Sequence, residues 1–261
     1  MRWIGLLFAL LVNAIPLYGV YRLGWSASTV VALYWAENLA LAVFTCARIA
    51  LHRTLTRKRG HWRGGTIGVT VNDKLVTGGL LKEYAVMAFS FTLAHGIFVV
   101  AVCAIGASDH SDNAVWQFSR TQFEQGLQWI LAALVLEFVI DAATMRSRSF
   151  AWLKAYVGRR TGRVLIMHFV IIFGMFGMMA MESPFAMLYV LIGFKTLWDV
   201  FASDAAANPR SLPTEPPAWV LATAARLGKD GSGAKKARED WQRSREQQIR
   251  AAVEDEETQP I

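Results

Sequence analysis

The chain has 261 residues, 54% of them hydrophobic and only 18% charged, with a formal net charge of +7. Soluble domains average about 25% charged residues, so a disordered chain, a disulfide-rich secreted module and an ordinary soluble enzyme are excluded. The charge is gathered between apolar blocks, where Lys and Arg set the orientation of membrane helices.

A helix needs about 20 mainly apolar residues to cross about 30 Å of hydrocarbon. Six stretches qualify, at residues 3–21, 28–51, 83–106, 126–145, 163–181 and 184–203. The expected fold class is therefore all-α, an integral membrane bundle of six transmembrane helices over residues 1–203. The first stretch reads as a retained span rather than a cleaved leader, because its apolar run continues past Asn13 through Ile15 and Leu17 to Val20.

Between the second and third spans lies a long basic loop with Arg53, Arg57, Lys58, Arg59, Arg63, Lys74 and Lys82. Its Gly64-Gly65 and Gly78-Gly79 pairs bracket a predicted hairpin turning at Asn72-Asp73. The loop between the fourth and fifth spans adds Arg146, Arg148, Lys154, Arg159 and Arg160, while the alternate loops are poor in Lys and Arg. The positive-inside rule then puts both basic loops and both termini in the cytoplasm, in a multi-pass membrane protein. Arg57, Lys58, Arg59, Arg63, Arg159 and Arg160 are expected to contact the anionic headgroups of the bilayer. A nucleic-acid partner is not expected, since Trp62 is the only stacking aromatic of the cluster. Cys46 and Cys103 fall near opposite membrane faces, too far apart for a disulfide.

Residues 204–261 form a Pro-rich linker and a charged segment of helical composition. Trp241, Ile249 and Val253 are too few to bury a core, so a mobile or partner-dependent tail is expected.

The informative residues are polar groups inside the spans: Glu37 and Asn38 in the second, His95 in the third, Glu137 and Asp141 in the fourth, His168 in the fifth, Lys195 and Asp199 in the sixth. Each buried charge costs roughly 2.5–3.5 kcal/mol on the insertion scale, so these residues should face one another or water. Counting roughly 1.5 Å per residue puts Glu37, His95, Glu137 and Lys195 in a deep tier. Asp141, His168 and Asp199 fall in a shallower one, and the depths allow a Lys195–Glu137 ion pair.

Three readings follow. Intramembrane acid and His sets mark proton and ion pathways, which makes proton- or ion-linked transport or binding the leading one. Asp141, His168 and Asp199 have the composition of a divalent-metal site, which would make the protein a metal-dependent enzyme, although no H-E-x-x-H or E-x-x-H spacing supports it. Interhelical glue in a scaffold or assembly partner is the third. No Gly-rich nucleotide loop or G-x-S-x-G element is present, and no cofactor is named by the sequence.

Asn13-Ala14-Ile15-Pro16 with Gly19 and Gly24-Trp25, the Y-W-x-E-N element Tyr34-Trp35-Ala36-Glu37-Asn38, and the G-F-K-x-x-x-D element from Gly193 to Asp199 carry a resemblance. Together with the His95 and His168 spans they are similar to a bacterial family of uncharacterised polytopic membrane proteins, a domain of unknown function. The resemblance implies a helical fold integral to the bacterial inner membrane, and no activity, cofactor or catalytic residue.

Overall fold

The computed structural model describes residues 2–63, 70–71, 74–75, 78–108, 117–181, 193–194, 196–197, 213–227 and 232–259. Among these the chain is helical: α1 (Arg2–Leu23), α2 (Ala27–Thr56), α3 (Leu80–Ser108), α4 (Arg120–Thr144), α5 (Phe150–Met181), α6 (Ala218–Leu227) and α7 (Gly233–Glu256). Among the described residues three helical stretches are long and apolar enough to cross a membrane: Ala27–Thr56, Leu80–Ala101 and Arg120–Ser147. The expected first span lies within α1, which carries Pro16 inside it. The expected sixth lies almost wholly outside the described residues.

Local chemistry starts and stops the long helices. Ser26 caps α2, its hydroxyl accepting from Thr29 N–H at 3.2 Å, and Ser119 caps α4 by accepting from Gln122 N–H at 3.4 Å. The two caps are tied together, since Ser119 N–H donates to Thr29 Oγ1 and Ser26 N–H to Gln122 Oε1. That fixes α2 and α4 side by side and parallel. At its far end α2 stops on Arg57, which takes the left-handed conformation with φ 50°. A two-residue antiparallel ladder pairs Thr70–Val71 with Lys74–Leu75, the register of the expected hairpin about residues 72 and 73.

The fifth helix differs from expectation, beginning at Phe150 instead of Arg163. Hydropathy finds the apolar half of this helix and stops at its cations. The helix runs through Lys154, Arg159 and Arg160 because Leu153, Tyr156 and Val157 between them are buried against the bundle.

The central post is α2. More than half of its apolar window is buried, against about a quarter for α3 and less for α4. On one side Val30, Leu33, Tyr34 and Leu41 pack with Trp25 and with Ile130 and Leu134 of α4. On another, Ala42 and Ile49 meet Leu80, Tyr84 and Met87 of α3 and Phe150, Leu153 and Val157 of α5. The outward faces are apolar instead of charged: Leu93, Ile97 and Val100 of α3 and Val135, Leu136 and Val139 of α4 are largely exposed, on helices apolar enough to cross a membrane.

Two glycines let Trp25 into this arrangement. A Cβ on Gly19 of α1 would lie 2.1 Å from the indole, and one on Gly126 of α4 would lie 2.7 Å from it. The ring fills the gap between these helices, stacked at 6.2 Å on Trp129. Trp25→Ala is expected to lower stability by about 3–5 kcal/mol through the cavity it leaves, read as a lower unfolding temperature in detergent.

Candidate functional site

One stripe of α2 carries most of the buried polar chemistry. Glu37, Leu41, Thr45, Arg48 and His52 recur at helical spacing, and none is more than 4% exposed. Burying an acid and an arginine on the helix that touches α1, α3, α4 and α5 requires counter-charges from its neighbours, and α4 and α5 supply them.

Arg48 is the hub. Its Nε lies 2.9 Å from Asp141 Oδ2 and its Nη2 lies 3.9 Å from Glu137 Oε2. Glu137 and Asp141 are one turn apart on α4, so a single guanidinium reaches both. The planar cation is held between the Phe138 and Tyr156 rings, at 5.2 and 5.3 Å from their centroids. Glu137 also accepts from Arg160 of α5 at 3.1 Å, and Arg163, one turn deeper, reaches Glu37 at 2.5 Å. Three carboxylates thus meet three arginines between α2, α4 and α5. Arg159 adds a fourth guanidinium 5.6 Å from Tyr156, a ring that also takes Arg160 at 5.0 Å. Arg48 Nη2 is buried with no hydrogen-bond acceptor among the described residues.

The remaining expected residues are placed as follows. His95 is half-buried on α3, and its Nδ1–H donates to Phe91 O at 2.6 Å, the only role that a carbonyl partner allows. Asn38 is half-buried beside Glu37. His168 lies on α5, but its side chain is outside the described residues, as are Lys195 and Asp199. Glu137 meets Arg48 and Arg160, and the pair with Lys195 that the depths allow falls outside the described residues. Among the described residues no group of three His, Cys, Asp or Glu side chains could hold a metal ion.

Sequence reasoning missed the arginines. Arg48 is the only basic residue between 28 and 51 and stands three turns from Glu37 on the same face, a signal that was present. Arg160 and Arg163 were assigned to a loop and a span edge because nothing local shows that α5 begins upstream of them.

Beneath this network, at the same end as the basic loops, a second polar knot joins three segments. His52 Nδ1 and His61 Nε2 share a hydrogen bond of 2.7 Å, and His52 Nε2 donates to Arg148 O at 3.2 Å. With Nε2 so committed, His52 Nδ1 accepts from His61. Phe150 packs edge-on against His61 at 5.0 Å. Two glycines admit these contacts: a Cβ on Gly60 would lie 2.3 Å from the Phe150 ring, and one on Gly79, at φ +87°, would meet His61 O. Burial, with His52 and Arg53 beside it, pushes the His61 imidazole down to about 3.

Of the six cations expected at headgroups, Lys58, Arg59, Arg63 and Arg160 lie on protein carboxylates. Lys58 pairs with Glu256, Arg59 with Glu257, and Arg63 with Glu254 and Asp255, while Arg57 O accepts from Gln259 N–H. The tail helix α7 therefore ends docked on the loop that follows α2. It is also anchored at its middle, where Trp241 Nε1–H donates to Pro213 O.

A family model matches residues 1–218, and the chain belongs to that family, a family of unknown function (DUF6498). No curated protein and no solved structure matches the chain at a significant level.

Two outcomes follow from this geometry. Arg48→Gln is expected to cost about 3–5 kcal/mol by removing the counter-ion of a buried carboxylate, and adding Asp141→Asn should recover part of that loss. Thermal unfolding of the single and double variants measures the coupling. His61 stays neutral when folded but protonates near 6.5 when unfolded, so its contribution is intact above that pH and is lost as pH falls toward 3. Stability should drop by about 2 kcal/mol between neutral pH and about pH 5. Gln at position 61 should flatten that slope.

Proposed function

We propose that this member of the DUF6498 family is a multi-pass protein of the bacterial inner membrane, with six spans and both termini cytoplasmic, that binds or transports an anion in step with protons. The topology draws support from one end of the bundle. Residues 57–63, 148–151 and 254–259, all assigned to the cytoplasm by their charge pattern, come together there.

The observation that carries the functional reading is the balance of charge around Arg48. Four guanidiniums, from Arg48, Arg159, Arg160 and Arg163, stand among three carboxylates, and Arg48 Nη2 keeps a donor with no acceptor among the described residues. Arginine holds its charge at any physiological pH, so among the described residues of this network the carboxylates Glu37, Glu137 and Asp141 are where protons can enter or leave. An anion that takes an arginine from its carboxylate leaves a negative charge in a low-dielectric interior. Protonation of that carboxylate costs less than leaving it charged. Binding of one anion is thereby linked to uptake of one proton, with Glu137, shared between Arg48 and Arg160, as the carboxylate to be displaced.

The metal-dependent alternative at Asp141, His168 and Asp199 would need Asp141 to leave Arg48, and the proposal does not adopt it. The scaffold alternative takes the same network as glue between helices. A flux measurement separates that alternative from transport. Protein in liposomes holding a pH-sensitive dye, given an inward gradient of inorganic phosphate or of succinate, should move protons inward with one of them. Glu137→Gln should abolish the proton signal while the protein stays folded. If neither anion moves protons, and network variants change only the unfolding temperature, the network is structural and the proposal fails.

A further inference from the structure

The segment that ends the docked tail is seated as a short added strand. Lys58 and Thr258 form an antiparallel bridge, with Arg59 N–H donating to Glu257 O at 2.8 Å and Gln259 N–H to Arg57 O at 3.0 Å. Around this backbone pairing four consecutive acids, Glu254 to Glu257, face the basic loop: Glu256 is 3.0 Å from Lys58, Glu257 2.6 Å from Arg59, and Glu254 and Asp255 3.0 and 3.2 Å from Arg63. The bases begin one residue after the last turn of a helix able to cross a membrane. Beside them stands the exposed indole of Trp62, a side chain suited to the headgroup layer.

We propose that this basic face is a docking site for the anionic headgroups of the surrounding bilayer, and that the acidic end of α7 is its built-in competitor, a strap that an anionic membrane releases. The charges argue for reversibility. The Arg59–Glu257 and Arg63–Glu254 pairs are each about half exposed, so they are screened and open to exchange. A headgroup layer offers the same cations many acceptors at once. The strap lies beyond residue 218, outside the part of the chain matched by the family model.

Release would be felt inside the bundle. Glu256 Oε1 accepts from Ala151 N–H at 3.0 Å, satisfying a donor in the first turn of α5 that the helix itself leaves open. The same helix carries Arg160 and Arg163 to the buried carboxylates. One carboxylate at the end of the tail thus connects the membrane surface to the ionic network.

The test is a distance in the full chain. Spin labels at Leu55→Cys and Val253→Cys, both exposed positions, are placed in a chain with Cys46 and Cys103 replaced by alanine. In nanodiscs of phosphatidylcholine the label pair should show one short distance. In phosphatidylglycerol-rich nanodiscs the short-distance population should be lost in favour of a long, broad one. Glu254→Gln with Glu257→Gln should give the released distribution in phosphatidylcholine as well, and neither substitution touches the bundle. A distance unchanged between the two lipids overturns the proposal. Release by inorganic phosphate in phosphatidylcholine nanodiscs also overturns it, by assigning the face to a free anion. The readout is independent of flux, so it stands or falls apart from the transport reading.

Discussion

Everything in the interior of this bundle is arranged around one buried guanidinium. Arg48 sits on the helix that every neighbour packs against, with 1% of its side chain accessible. A charge so placed is tolerated only if carboxylates reach it and its remaining surface is covered. Asp141 and Glu137 do the first, and the Phe138 and Tyr156 rings do the second. Glu137 then requires Arg160, and Glu37 on the same stripe of α2 requires Arg163. Those two demands explain why α5 runs far upstream of its apolar half: the helix is a carrier for counter-ions as much as a span.

The same economy appears at the end where the basic loops meet. His52, the last residue of the buried stripe, is joined to His61 and to Arg148 O, so α2, the following loop and the α4–α5 turn share one hydrogen-bonded knot. Close approach makes this possible at Gly60 and Gly79, where any side chain would strike Phe150 or the His61 carbonyl. Glu256 closes the arrangement by capping the start of α5. Two polar layers, one ionic and deep, one neutral and near the surface, thus hold α5 at two levels.

Much of this was legible beforehand. The apolar blocks fell on the helices α1 to α5, and period-3.6 spacing made Glu137 and Asp141 neighbours on one face. The Y-W-x-E-N element has a physical account in the fold: Trp35 Nε1–H donates to Thr92 O on α3, where Gly96 leaves room for the indole, while Glu37 meets Arg163. Which cation meets which carboxylate was not legible. Glu137 finds Arg160 across 23 residues and Glu37 finds Arg163 across 126, and no local pattern encodes such pairings. The tail shows the same limit, because composition reads an isolated charged helix while its acidic end is matched to three bases nearly two hundred residues away.

The amino-acid sequence by itself determined the solvent this protein is built for, the helices that result and the presence of ionisable groups that must be compensated. Those follow from local quantities, transfer free energies summed over about twenty residues and the geometry of one helix. Only the tertiary structure decided how the compensation is made, by arginines from α2 and α5, and that the acidic tail lies on the basic loop. Coulomb attraction in a low-dielectric interior depends on separation in space, and separation in space is what a linear sequence leaves open.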